Sequence, residues 1–160
     1  MRARSTLVAR LAPVLCVASL AAAAGLAGTG CEVATAPPPD ATPLNPLPSY
    51  AQWWAEVESC SGLSGDVLRV AWYEVPADPA GGGFYCADGP DHACAGEWAE
   101  PHSIYLAGPS DHYPQGYLAD EWTVKHEMLH DLVGHPGHPQ VFNDCRLASR
   151  TPAGVYGLTR

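Results

Sequence analysis

The sequence predicts an α+β domain held by disulfides. Two helical patterns, at 49–62 and 120–133, accompany two runs dense in β-branched and aromatic residues, at 67–75 and 103–107. The same span holds four cysteines, Cys60, Cys86, Cys94 and Cys145. Residues 49–160 amount to roughly 110 residues, enough for one modest core that disulfides would reinforce.

The N-terminal part reads as an address. Residues 1–30 begin with Arg2, Arg4 and Arg10, continue through an apolar run at 11–26 and end in small residues, the pattern of a secretory signal peptide. That run is too short and too Ala-rich for a spanning helix. Two exits are open. Gly30-Cys31 resembles the end of a bacterial lipobox, with Cys31 as the lipidated new N-terminus, although Gly28 stands where Leu is usual; Ala34-Thr35-Ala36 offers an ordinary cleavage site. The lipoprotein is the preferred reading, and either route exports the chain. Residues 31–48 carry six prolines between Pro37 and Pro48 and read as a semi-extended tether.

Export decides the cysteine arithmetic. Cys16 leaves with the signal peptide and Cys31 is acylated, so the remaining four imply two disulfides. A short turn-rich loop between Cys86 and Cys94 favours that pairing, with Cys60 and Cys145 forming the other. A thiolate zinc site is the alternative, but the spacings lack a C-x₂-C pair. The chain's net charge is −9, and from Cys31 onward five basic residues face seventeen acidic ones. Such a balance argues against nucleic acid and anionic lipid as partners and leaves an acyl chain as the only expected membrane contact. Oligomeric state has no signal.

Taken in order, Ser49-Tyr-Ala-Gln52 has capping-box spacing, Trp53, Trp54, Val57 and Cys60 follow at helical spacing, and Gly62 supplies a stop. The adjacent tryptophans read as core in preference to a carbohydrate platform. The run 67–75 is a strand in the sheet interior, ended by Pro76. Residues 76–101 read as loop with a strand fragment at Phe84-Tyr85, and 103–107 as a second strand. A helix starts near Asp120 and runs to Val133, where Gly134, Pro136 and Pro139 end it. Past Cys145 the signals are weak, with Tyr156 and Leu158 the packing candidates.

That helix carries His126-Glu127-Met128-Leu129-His130, and four of the seven histidines lie between 126 and 138. Positions i and i+4 share a face, so His126 and His130 can present two imidazoles to one metal ion, with Glu127 about 100° further round. Trp122, Val124, Leu129, Leu132 and Val133 make the rest of the helix apolar, which turns the polar stripe inward. Histidines hydrogen-bonded to backbone, with no metal, are the plain alternative.

His126-Glu127-x-x-His130 resembles the active-site helix of the zincin metallopeptidases. The run Gly137-His138-Pro139-x-x-Phe142-x-x-Cys145 is similar to zincin-like domains of bacterial secreted proteins and lipoproteins. The resemblance implies a small zincin-like domain, with a twisted, mostly antiparallel sheet packed on the active-site helix and an N-terminal helix. It also implies Zn2+ held by His126 and His130, Glu127 as general base, a third protein ligand downstream and a peptide or protein substrate. The chain is not a standard metzincin: Val133 and Pro136 stand where that group has Gly and His, and no Met follows Met128.

For the third ligand the nearest candidates are His135 and His138. Gly137 gives His138 the reach to fold back, whereas His135 sits between Gly134 and Pro136, so His138 is preferred; His102 and His112 are weaker. Binding by both would close the site, since a catalytic zinc keeps one position open. Tyr156, Tyr113, Tyr117 and His112 are candidates to stabilise an oxyanion, and the strand 103–107 is the expected cleft edge. Two functions compete: an exported zinc metallopeptidase, and a non-catalytic zinc-binding surface lipoprotein. A third, a zincin fold without activity, has the same residues. Only the peptidase needs Glu127.

Overall fold

In the computed structural model, which describes residues 37, 38, 40–78, 82–86 and 93–148, helix α1 spans Ser49–Ser61 and helix α2 spans Glu121–Val133. The signal peptide, Cys31 and Tyr156 lie outside the described residues. Tyr50, Trp54 and Val57 recur along α1 at one turn's spacing and are buried, so Trp54 is core, and Trp53 packs beside it. Gly62 ends the helix at φ 71°, its amide bonding back to the Glu58 carbonyl. The expected capping box does not form. Pro48 already has helical dihedrals, which puts Ser49 inside the first turn, and Gln52 bonds forward to Glu56 instead.

Helix α2 has the boundaries its end signals announce. The Asp120 carboxylate accepts from the Thr123 amide at 2.8 Å, and Gly134 closes the helix at φ 66°. Val124, Met128 and Leu129 are fully buried against the sheet and α1. Each such side chain contributes about 1.5–3 kcal/mol by leaving water.

The sheet has the order β1-β2-β6-β5, with β1 at Thr42–Pro43, β2 at Ala71–Val75, β5 at Gly96–Ala99 and β6 at Ser103–Ala107. It is mixed, since the outer pairs are antiparallel and the central β2–β6 pair is parallel. Alternation along the strands sends Trp72, Trp98, Ile104 and Leu106 into the core shared with the helices, and Val75, Tyr105 and Ala107 into a second cluster. A separate two-stranded hairpin pairs β3, Phe84–Tyr85, with β4, Ala93–Cys94. Disulfides join Cys60 to Cys145 and Cys86 to Cys94. Such bonds fit an oxidising compartment. Among the described residues, no helix is long and apolar enough to cross a membrane.

Four elements differ from the sequence reading. Residues 67–69 form a 3-10 turn, because the Asp66 carboxylate captures the Leu68 amide, so β2 begins only at Ala71. The tether's last part belongs to the fold: Thr42 and Pro43 pair with Glu74 and Tyr73, and Leu44 and Leu47 pack on the core. Proline is tolerated there because an edge strand leaves one side of its backbone unpaired. The stretch 76–101, expected to be loop, contains β4 and β5. After Pro139 a short helix, α3 at Gln140–Asp144, buries Phe142.

Candidate metal centre

Three imidazoles converge at one end of α2. The His126 and His130 Nε2 atoms lie 3.2 Å apart, and His138 Nε2 lies 3.1 Å from that of His126. His126 and His130 are buried, while His138 reaches in from the exposed turn beyond Gly134. Among the described residues this is the one group of histidines, cysteines or carboxylates whose ligand atoms gather in this way.

The hydrogen bonds on the other ring nitrogens fix what those Nε2 atoms are. His126 Nδ1 sits 2.6 Å from the Leu147 carbonyl oxygen, and His130 Nδ1 sits 2.9 Å from that of His135. A carbonyl only accepts, so each Nδ1 carries the proton and donates it; the Nε2 of each neutral ring then bears a lone pair. Two lone pairs facing each other at 3.2 Å repel unless a cation lies between them. Protonation is an unfavourable way out, because burial pushes both histidines down to about 4. A tetrahedral ion with metal–nitrogen bonds of about 2.0–2.1 Å needs ligand nitrogens roughly 3.3–3.4 Å apart, close to the 3.2 and 3.1 Å of the two pairs that include His126, and all three nitrogens lie within 4.8 Å of one another. The residues present therefore fit a metal ion. Backbone carbonyls on the outer nitrogens are the usual way of orienting such rings.

Apolar packing holds the triad from below. The Phe142 ring, fully buried on α3, lies 5.2, 4.6 and 4.8 Å from the rings of His126, His130 and His138. Trp122 stacks on His126 at 5.0 Å and Trp98 on His130 at 6.4 Å.

His135, the other third-ligand candidate, is used differently. Its carbonyl orients His130, and its ring accepts from the Gly137 amide at 2.8 Å within its own turn. His102 binds Asp131. Glu127 stays out of the ligand group and is buried against β5, where the Trp98 amide hydrogen-bonds its carboxyl. Burial, and then the nearby Glu97 charge, push Glu127 up to about 8.

A cleft of about 220 Å³ opens over these groups, lined by the three histidines, Glu127, Gly96, Glu97, Trp98, Pro136 and the Cys86–Cys94 disulfide. Its size suits a side chain and a water better than an organic cofactor. Compared with family models, curated proteins and solved structures, the chain gave no match. What the site can do is read from its own groups.

Two site expectations are overturned. Strand β6 is not the cleft edge, because β2 and β5 pair with it on both sides. The sheet ends at β5, where Gly96 and Trp98 occupy the ladder positions whose backbone groups point away from β6. Tyr113 and Tyr117 are not placed to meet an oxyanion: they stack on each other in the second cluster, and neither they nor His112 line the cleft. Tyr156 lies outside the described residues.

Gly96 is a site residue that the sequence reading passed over. A Cβ there would sit 2.9 Å from Glu127 Cγ and Thr123 Cγ2 and 3.0 Å from Glu127 Oε1. Glycine thus lets α2 bring Glu127 against the strand. Gly96→Ala should displace Glu127 while sparing the histidines, since the three atoms nearest a Cβ at 96 belong to Glu127 and Thr123. The expected result is zinc affinity within about threefold of wild type, with any hydrolysis that depends on Glu127 down by about tenfold or more. Equilibrium dialysis and a peptide cleavage assay on the same preparation measure both.

Proposed function

We propose that this chain is an exported zinc metallopeptidase, anchored through a lipid on Cys31, that cleaves peptide or protein substrates. The observation that carries the reading is the pairing of the convergent triad with Glu127, a buried carboxyl beside the triad that is not a ligand. A site built only to hold metal gains nothing from that carboxyl, and burying it is costly. His126, His130 and His138 would hold the ion, a three-nitrogen set that leaves a fourth position open. When bound, zinc supplies Lewis acidity, which acidifies water and polarises a carbonyl.

The chain's own residues do the rest. Glu127, in its ionised form, takes the proton from the attacking water and returns it to the leaving amine. The Trp98 amide orients the carboxyl for this transfer. Phe142 and Trp98 keep solvent off the inner side of the imidazoles. The edge of β5 offers an extended substrate a strand to lie along, close to Glu127.

The test uses the exported protein. It is expected to hold about one zinc ion per chain, to cut unstructured peptides, and to lose and regain that activity with chelation and zinc. A chain that holds zinc yet leaves a broad peptide library uncut would be a non-catalytic metal-binding lipoprotein.

A further inference from the structure

Asp131 follows the ligand His130 on α2, and its side chain is only 5% exposed. Its carboxylate points at the β5–β6 hairpin and takes two donors from it. Oδ1 accepts from the Trp98 indole Nε1 at 2.9 Å, and the two oxygens lie 3.1 and 3.3 Å from His102 Nδ1 in the turn. A buried carboxylate needs such donors to offset its lost hydration.

Trp98 is where this contact meets the site. Its backbone amide holds the Glu127 carboxyl, and its ring lies nearly parallel to that of His130, with an interplanar angle of 18°. One residue therefore touches the proposed base through its amide and a metal ligand through its ring. The indole N–H is the handle by which α2 sets where that residue sits. We propose that Asp131 is a positioning residue: through the Trp98 indole it fixes strand β5 over α2 and so holds both the His130 ring and the Glu127 carboxyl in place. Only its kinetic consequence rests on the metallopeptidase reading; its consequence for metal binding does not.

A merely structural tie between helix and hairpin would lower stability and leave the metal's surroundings unchanged. The experiment separates the two. Trp98→Phe keeps an aromatic ring over His130 and removes the donor; Asp131→Ala removes the acceptor; Asp131→Asn keeps an oxygen for the indole. Zinc affinity is measured by chelator competition, the ligand field from the visible spectrum of the Co2+-substituted protein, and peptide cleavage as kcat and KM.

Trp98→Phe and Asp131→Ala are each expected to weaken zinc binding about tenfold, the low end of what losing a hydrogen-bonded outer partner of a ligand costs, and to shift the Co2+ bands. They should lower kcat more than they raise KM. The double variant should be no worse than Asp131→Ala alone, because the bond that Trp98→Phe removes is already gone there. Asp131→Asn should return the affinity to within about threefold of wild type. Zinc affinity and Co2+ spectra that stay at wild-type values in Trp98→Phe would overturn the proposal, as would single effects that multiply in the double variant. Should Asp131→Ala fail to fold, the comparison of Trp98→Phe with Asp131→Asn decides. If the wild type cuts no peptide, the affinity and spectral results still decide about Asp131.

Discussion

Replacing Glu127 by glutamine is expected to leave zinc bound and to lower peptide hydrolysis by about 10²–10⁴-fold, the range that a positioned general base contributes. The prediction is sharp because the substitution changes so little else. Glutamine is nearly isosteric, so it fits the space beside Gly96, and its side-chain oxygen can still accept from the Trp98 amide. Glu127 is no part of the ligand group, so the three nitrogens keep their geometry. What disappears is a carboxylate able to take a proton. Zinc content by mass spectrometry, apo-protein melting temperature and cleavage rate should be read together. Equal inactivity of wild type and Glu127→Gln across a broad peptide library, with zinc in both, would leave a metal-binding protein and no enzyme. A variant that lost zinc as well would show that Glu127 supports the ligands, contrary to its place outside them.

The parts of this site that a sequence can announce are those that depend on spacing along one helix. His126 and His130 share a face because they are four residues apart, and Asp120, Gly134 and Gly62 mark helix ends through side-chain or backbone chemistry of their own. His138 is legible through the glycine before it, which lets the chain fold back. Beyond that the signals thin out. The carbonyls of Leu147 and His135 that orient the ligand rings belong to backbone, and any residue type would supply them. Strand β5 has four residues and no apolar alternation, so nothing separates it from loop until β6 pairs with it. Gly96 looks like a turn residue and acts instead through the side chain it lacks. Pro43 argues against a strand until it is seen on an edge. Asp131 is a local clue of another kind: an acidic residue placed directly after the second histidine of the pair, with its side chain turned inward.

Removing the Cys60–Cys145 bond is expected to cost far more stability than removing Cys86–Cys94, and to reach the metal centre as well. The two bonds span 85 and 8 residues of sequence. On loop-closure entropy that difference corresponds to about 4.6 against about 2.5 kcal/mol of stabilisation. The longer bond also ends close to the site. Two residues past Cys145, the Leu147 carbonyl orients His126, and the Leu147 side chain is buried in the core that α1 and α2 share. Between them Arg146 takes a left-handed conformation, φ 59°, which an arginine adopts only under constraint. With the disulfide gone, this segment is still held by Leu147's burial, by the Leu147 and Arg146 amides on the Phe142 and Asn143 carbonyls, and by the Trp122 indole N–H on the Arg146 carbonyl.

The Cys60→Ser/Cys145→Ser protein should therefore unfold at clearly lower denaturant than wild type when free of metal, and should bind zinc more weakly. Zinc ought to recover part of the difference, since a ligand at about a hundredfold its dissociation constant adds about 2.7 kcal/mol to the folded state. The paired control is Cys86→Ser/Cys94→Ser. Its bond lines the cleft but makes none of the contacts that orient a ligand ring, so its loss should alter cleavage more than zinc affinity. Guanidinium unfolding with and without zinc, run on both double variants, gives four midpoints. Equal losses in the two metal-free proteins would show that segment length and the link to Leu147 do not govern this fold.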